Sequence, residues 1–463
     1  MKRLNLAVTI AAVALACLWF LEGYPTVIYD SWGYYYLSGI LRTSGILAWP
    51  TDFRTYGYPL FLAIVTGFRD LPPEEFRLVV FAVQLLLYLG TCWFVSRKLA
   101  RIFQSESLGA LAFAVGALNP VLLLHTTEPL SDLLSAVLIQ LGLALSWRRP
   151  AAGARTERTT IWQPMLSFFC AGAAVAVRPA NVVVVQALVL VWVYRAYRWR
   201  DLRAASIGAA IAGLIPPFIP QLVINYRLSG RLNPLIMRSL YRTQTIWGMG
   251  WLKYGTVVIP DHSPFLVYVN TLSGTDPDPW SYLRHHPLRY LATLGLHAFA
   301  MLDYDLPFTY VTDLHPWYRW PLSLVNYGLL YLALAGCFLG IARVIRRRRI
   351  DEVGFALLST VLVAASSVLV YAPVAVENRF GLTVEALMTP LIVMSLLRLS
   401  RANETRQGTR ALMILGAPIY VLASVVLSAW ISTKQANPFF PSPANAFVLN
   451  PQRAHLPKAP PTP

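Results

Sequence analysis

Residues 4–36 read LNLAVTIAAVALACLWFLEGYPTVIYDSWGYYY. Positions 4–22 carry a single charge, Glu22 at their end, and follow Lys2-Arg3. A bilayer-spanning helix needs roughly 17 to 25 apolar residues, so this run reads as a first membrane span retained in the protein. Directly behind it Tyr29-Asp30-Ser31-Trp32-Gly33-Tyr34-Tyr35-Tyr36 sets a carboxylate among aromatic rings, and Phe53-Arg54-Thr55-Tyr56-Gly57-Tyr58-Pro59 brings an arginine close after it. An acid, an arginine and a bed of tyrosines at the mouth of a membrane helix form a place where chemistry can occur.

The rest of the chain repeats the first run's character. Of 463 residues, 56% are apolar and 13% charged, against about 25% charge in soluble domains, and the mean hydropathy is +0.52. The formal charge of +17 invites a nucleic-acid reading, but its placement excludes one. Basic residues gather at the ends of apolar runs (Arg97, Lys98 and Arg101; Arg195 and Arg198; Arg343 and Arg346 to Arg349), and six such clusters hold 22 of the 39 Lys+Arg. Placing them on one side satisfies the positive-inside rule and needs no nucleic acid. Cys17, Cys92, Cys170 and Cys337 all fall inside apolar runs, so no disulfide or zinc framework is expected.

The expected fold class is an all-α polytopic membrane protein with about eleven transmembrane helices, within a range of about ten to thirteen. The runs are 4–22, 76–95, 107–124, 132–147, 164–178, 182–194, 204–222, 322–342, 354–372, 381–397 and 411–430. Residues 1–222 form an amino-terminal membrane module whose first external loop, 23–75, holds interfacial helices. Residues 223–321 form a small external helical cap with helical periodicity from Pro287 to Leu302; 322–431 add the carboxyl-terminal spans, and 432–463 are a Pro-rich tail expected to be disordered. With a cytoplasmic amino terminus, 15 of the 22 acids face outward, accompanied by arginines that run against the orientation bias. Guanidinium forks grip phosphates bidentately, although arginines also snorkel to headgroups.

Asp30 has two readings at this point. It caps the helix starting near Ser31, or it is a general base close to a bound hydroxyl. Glu128 and Asp132 bracket Pro129 at a helix start, where capping is the plain reading. His125 and Glu128 are spaced as two metal ligands could be, but two make no site. Asp303 and Asp305 are weak metal candidates, so no metal site is assigned and a divalent ion stays open. Arg178-Pro179 interrupts two apolar runs, and a charge there must reach a polar cavity or the interface. Glu377 and Arg379 sit at the outer turn between two late helices. No phosphate-cradling glycine loop, Gly-x-Ser-x-Gly or His-Glu-x-x-His occurs.

Several marks fall in order: Asp30; Arg54-Thr-Tyr-Gly-Tyr58-Pro59; Thr127-Glu128-Pro129; Arg178-Pro179-Ala180; His286-Pro287-Leu-Arg289-Tyr290; and Glu377-Asn-Arg379-Phe380. Together they resemble the GT-C membrane glycosyltransferases, in the branch of protein O-mannosyltransferases and lipid A aminoarabinose transferases, across most of residues 1–400. The resemblance implies a polyprenyl-phosphate sugar as donor, with Asp30 as the base that activates an acceptor hydroxyl for inverting attack. Arg54, Arg178 and Arg379 would bind the donor phosphate, and Tyr29, Tyr34, Tyr58, Glu128, Asp132, Glu377, His286 and Arg289 would line the sugar and acceptor pocket. No cofactor is required by this chemistry. Many protein O-mannosyltransferases carry Asp-Glu where this chain has Asp30-Ser31, which leaves lipid, glycan and protein acceptors open. Tyr56 replaces the proline of Arg-x-Pro-Gly-Tyr-Pro and alters that loop.

The implied setting is a multi-pass protein of a bacterial inner membrane with its site on the outer face. Two alternatives stand beside this reading. An O-antigen ligase or polymerase acting on an undecaprenyl-diphosphate glycan would lean on His285, His286 and Arg289 instead of Asp30. A transporter or flippase would need charges deep in several spans, where Glu385 is the main instance.

Overall fold

The computed structural model describes residues 2–23, 27, 29–147, 161–198, 204–238, 240–250, 279–303, 319–348, 350–374, 376–400 and 407–433. Among these the chain is helical and has no strand. The first apolar run is α1 (Lys2–Glu22), and the aromatic stretch behind it folds as α2 (Tyr29–Ser44) and α3 (Gly57–Val65). Next comes α4 (Pro73–Ile102), which opens on Pro73, Glu74 and Glu75 and closes on Arg101. Proline lacks the N–H that a first turn leaves unpaired, and the charges oppose the helix dipole at both ends. The Ser105 hydroxyl caps α5 (Glu106–Ala117) at 3.3 Å from Leu108 N, and Asn119 caps the short α6 (Pro120–Leu124) at 3.0 Å from Leu122 N.

Three helices follow: α7 (Ser131–Ser146), α8 (Trp162–Val177) and α9 (Val182–Arg198), the last continuing a 3₁₀ turn, Pro179–Asn181. Pro216 and Pro217 interrupt the next span between α10 (Ala204–Leu214) and α11 (Ile219–Ser229). Within the outer segment lie α12 (Tyr241–Gly250), α13 (Pro279–His285) and α14 (Pro287–Ala300), the last matching the expected periodicity. The chain then runs through α15 (Arg319–Arg347), α16 (Glu352–Tyr371), α17 (Leu382–Leu387), α18 (Thr389–Ser400) and α19 (Gln407–Thr433). Residues 251–278 and 304–318 of the expected cap, and the expected tail, lie outside the described residues.

All eleven apolar runs are helical, but not all are long enough to cross a bilayer. Among the described residues seven helices meet the length and apolarity of a span, or eight if the pair 378–387 and 389–400, bent by 53°, counts as one. The remaining three runs contain the shorter helices α5, α7 and α8. At 1.5 Å per residue the 16-residue α7 and α8 reach only about 24 Å. α7 is buried inside the bundle, whereas α8 leaves Trp162, Leu166 and Phe169 exposed; α7, α8, α9 and α16 share a core of Ile139, Leu143, Val175, Val184, Leu188 and Val363. Arg178-Pro179 therefore separates a short helix from a span, Pro179–Arg198, of full length.

Two glycines set the spacing around the end of the bundle that carries Arg54 and Arg379. A Cβ on Gly57 would collide with the Ala176 carbonyl, and one on Gly381 with that of Met301. The first contact brings the Arg54 loop onto the end of α8; the second brings the turn carrying Arg379 onto the end of α14. At the α17–α18 bend, Glu385 is buried and accepts a hydrogen bond from Asn119 Nδ2 at 3.0 Å. The side chain that caps α6 thus also answers the one deep acid among the late helices.

Candidate active site

Asp30 lies in the first turn of α2, and both of its oxygens are taken by guanidinium groups. Arg54 Nη2 is 2.8 Å from Oδ1, and Arg379 Nη2 is 2.9 Å from Oδ2. The carboxylate is occupied by side chains of distant segments, which is more than a helix cap requires. Arg54 reaches it from the loop ahead of α3, where Trp49 Nε1 holds the Arg54 carbonyl at 3.2 Å and the guanidinium lies 4.7 Å from the Tyr34 ring. Such a cation–aromatic contact restrains the fork while leaving N–H groups for other partners.

Arg379 sits in a 3₁₀ turn, Asn378–Gly381. Its Nε is 2.7 Å from Glu377 Oε2, and its Nη1 lies 4.0 Å from Asp132 Oδ2. Asp132, in the first turn of α7, forms an ion pair with Arg178, the extended residue that ends α8. The Arg178 guanidinium rests against Tyr371 and Phe380, at 5.0 and 4.8 Å from the two ring centres. Beside it the Tyr34 hydroxyl meets Ser131 Oγ at 3.1 Å. Three carboxylates and three guanidiniums thus form one connected group of zero net formal charge.

Exposure gives the group a direction. The Asp132 side chain is 3% exposed, Arg178 16%, Arg379 17%, Arg54 25% and Asp30 36%, so Asp30 is the most accessible of these five. Burial alone would push the Asp30 carboxyl up, but Arg379 and Arg54 outweigh it and hold it well below its ordinary 3.8. Because the folded value is depressed, the stabilisation from these pairs is complete above about pH 4 and is lost only as pH falls further. Glu377 moves the other way: its burial outweighs the favourable effect of Arg379, and its carboxyl is raised. One arginine therefore serves two acids of opposite tendency.

The structure divides the sequence candidates into two sets. Asp30, Arg54, Arg178, Arg379, Asp132, Glu377 and Tyr34 come together. Glu128 and Tyr58 lie beneath them as supports. Glu128 pairs with Arg77 at 2.9 to 3.0 Å, with both side chains almost fully buried. The Tyr58 hydroxyl donates to Gln84 Oε1 at 3.0 Å, and Gln84 Nε2 donates to the Thr126 and Glu128 carbonyls. Tyr58 also meets Tyr34 edge-on at 4.9 Å, propping the ring on which Arg54 rests. His125 Nδ1 is bonded to the Val121 carbonyl, so His125 and Glu128 address separate partners. Breaking a buried ion pair strands the remaining charge, so Arg77→Met is expected to cost about 3–5 kcal/mol of stability. A thermal-unfolding series with Glu128→Gln and the double variant checks this, since the double variant should recover much of the loss.

His286 and Arg289 stand exposed where α13 meets α14, with no contact to the charged group; the His286 ring instead faces Tyr282 at 5.4 Å. Only the backbone of Tyr29 is described, and Asp305 lies outside the described residues. Asp303 is buried and accepts hydrogen bonds from Tyr327 (2.6 Å) and Ser428 (2.8 Å), while its carbonyl accepts from Asn378, the neighbour of Arg379. No cluster of three metal-ligating side chains occurs among the described residues.

Sequence reasoning missed Tyr371, which the end of a span disguised as an interfacial aromatic, and Ser131. The Tyr56 substitution has a local explanation: its hydroxyl bonds the Pro217 carbonyl and ties the Arg54 loop to the break between α10 and α11. Burial pushes that hydroxyl up to about 12, so it remains a donor.

No known family profile matches the sequence, and no curated protein does. Solved structures do match the fold. The apo oligosaccharyltransferase of Archaeoglobus fulgidus superposes with a TM-score of 0.50 at 13% identity, over 94% of this chain and 56% of that one. The same organism's AglB in complex with an inhibitory peptide and a dolichol-phosphate gives 0.46 at 13% identity, over 94% and 57%. ArnT from Cupriavidus metallidurans bound to undecaprenyl phosphate gives 0.38 at 16% identity, over 84% and 78%. The chain spans about half the length of the oligosaccharyltransferase it matches first, and at this identity the likeness is one of fold. In fold, then, this multi-pass chain is similar to the oligosaccharyltransferase of Archaeoglobus fulgidus.

Proposed function

We propose that the chain is an integral membrane glycosyltransferase that moves one sugar from a polyprenyl-phosphate donor to an acceptor hydroxyl at the outer membrane face, with inversion. The observation that carries this reading is the grip of Arg54 and Arg379 on the two oxygens of Asp30. Two guanidiniums converging on one half-exposed acid form a seat shaped for an oxyanion, and a carboxylate already fills it. A phosphodiester donor competes for those N–H groups. As it binds, the arginines turn to phosphate oxygens, and Asp30 regains an ordinary basicity beside the sugar.

The acceptor oxygen then attacks the anomeric carbon while its proton passes to Asp30. The bond from that carbon to the phosphate oxygen breaks, and its electron pair leaves with the polyprenyl phosphate. The donor phosphate carries one negative charge and the leaving monoester about 1.5 to 2. Charge therefore rises where Arg54 and Arg379 already point, the condition for stabilising a transition state more than a ground state. Arg178, held by Asp132, is the inner member of the same phosphate site. Tyr34 shapes the sugar side, and Tyr29 stands one residue before the base.

Site residues come both from 1–222 and from the turn at 377–379, so those two segments work as one catalytic unit with 223–321 as its outer cover. His286 and Arg289 belong to that cover and would meet an acceptor only at a distance from the charged group, which counts against a ligase built on them. The amino terminus on the cytoplasmic side and an inner-membrane address complete the reading.

Purified full-length protein in nanodiscs, offered a panel of polyprenyl-phosphate sugars and polyprenyl-diphosphate glycans with an acceptor lipid extract, tests it. Release of polyprenyl phosphate from a single-phosphate donor is the expected result. Turnover confined to diphosphate-linked glycans would overturn it. The free enzyme's kcat/KM should also keep its acidic limb below about pH 5, because Asp30 is held ionised until donor arrives. A limb at pH 6 or above, read across the same assay, would mean that the arginines do not grip it.

A further inference from the structure

The opposite end of the bundle carries a second built site. A cavity of about 540 Å³ opens where α4, α9, α15, α16 and α18 reach the arginine-rich face. Its walls are Ile102, Phe103, Val353, Met394 and Leu397, and three guanidiniums line it: Arg198, Arg343 and Arg347. Asp351 organises two of them. Its Oδ2 meets Arg343 Nη2 at 2.5 Å and Arg347 Nη1 at 2.6 Å, while Oδ1 caps α16 at Gly354 N, 2.8 Å away. A guanidinium has five N–H groups, so both arginines keep donors to spare, held in place by a carboxylate that is itself fixed to a helix end. Arg198 ends α9 exposed, with no acidic partner among the described residues.

Charge and depth define what fits. Three guanidiniums face two carboxylates, Asp351 and Glu352, leaving one positive charge in the lining. A phosphodiester carries one negative charge and balances it. Arg198 lies twenty residues along the chain from Arg178, and Asp351 twenty from Tyr371, each pair joined by one apolar helix. Twenty residues of helix span about 30 Å, the hydrocarbon thickness, so this cavity lies at headgroup depth across the membrane from the charged group around Asp30. Apolar side chains beside three guanidiniums at that depth suit an amphiphile better than a free anion.

We propose that this cavity binds the phosphodiester headgroup of an anionic phospholipid from the leaflet on the arginine-rich side, with its acyl chains against Met394 and Leu397. Basic pockets between membrane helices on the cytoplasmic side are suited to anionic lipids, at about 1 kcal/mol per basic residue. The inference does not depend on the reaction proposed above.

Native mass spectrometry of the full-length protein, ejected from nanodiscs of mixed phosphatidylglycerol and phosphatidylcholine, tests it. The expected result is retention of phosphatidylglycerol over phosphatidylcholine, reduced roughly thirtyfold in the R198A/R347A double variant, which leaves the Arg343–Asp351 pair and the α16 cap in place. Equal retention by both proteins overturns the site. A diazirine-bearing phosphatidylglycerol applied to the wild-type protein gives a reading independent of the variant's folding. Labelling of peptides containing Ile102 and Met394 is expected, and labelling confined elsewhere overturns the proposal. Millimolar glycerol phosphate is expected to leave the retained lipid in place; its displacing the lipid completely would assign the cavity to a soluble phosphate ester instead.

Discussion

Asp30→Asn is expected to lower sugar transfer by about 10²- to 10⁴-fold, the usual contribution of a positioned general base, while membrane insertion is retained and the unfolding temperature drops only by what the two lost ion pairs supplied. The amide keeps the shape of the carboxylate and can still accept from one arginine, so the bundle loses no packing. It cannot take up the acceptor's proton. The same variant removes the acid that competes with phosphate, so donor binding should hold or tighten as turnover collapses. That pairing separates a base from a structural acid. Loss of binding in step with turnover would make Asp30 a strut for its arginines, and full turnover would remove the base from it altogether. Single-turnover measurements with a labelled donor, beside equilibrium binding of polyprenyl phosphate, read both quantities.

Arg379→Ala is expected to cost about 10²- to 10³-fold in kcat/KM, the scale for losing one preorganised donor to developing negative charge. Arg379 contacts Asp30 and Glu377 and approaches Asp132, so its removal leaves three acids facing two guanidiniums. The site then repels a phosphate that it formerly attracted. Arg379→Lys should restore little, because a single ammonium cannot serve Asp30 and Glu377 together or present a planar fork to phosphate. Recovery to within a few-fold of wild type by lysine would reduce the role of Arg379 to that of a point charge.

Much of this site was legible in the chain, because its chemistry depends on residue types that membrane proteins otherwise avoid. An acid directly behind a span, and arginines away from the basic clusters that flank the spans, stand out against an apolar background. Asp30, Arg54, Arg178 and Arg379 could be picked out for that reason. Their pairing could not. Nothing local joins Asp30 to Arg379, which lies far along the chain, and only the folded arrangement of α2 and the turn before α17 does so.

The resemblance implied a pocket role for Glu128, and the structure pairs it with Arg77, 51 residues earlier on α4. An arginine a few residues inside an apolar run was the overlooked signal, since it must find a carboxylate nearby. Asp303 suggested a metal ligand, whereas two hydroxyls bind both of its oxygens. The runs that hold α5, α7 and α8 were counted on their apolarity, and these three helices are 12 to 16 residues long. A helix sheltered by its neighbours can be as apolar as one that crosses lipid.

The double grip on Asp30 also bears on how a turnover ends. After transfer the polyprenyl phosphate holds more charge than the donor did, and it binds the arginines most tightly at the moment it must leave. On the proposed reaction, Asp30 is neutral at that moment, because it carries the acceptor's proton. Once that proton escapes to water, the restored carboxylate lies within hydrogen-bond reach of both guanidiniums and competes for them. The group that starts the chemistry thereby becomes the internal anion that expels the spent carrier, and the pace of product departure is tied to a proton reaching the outside.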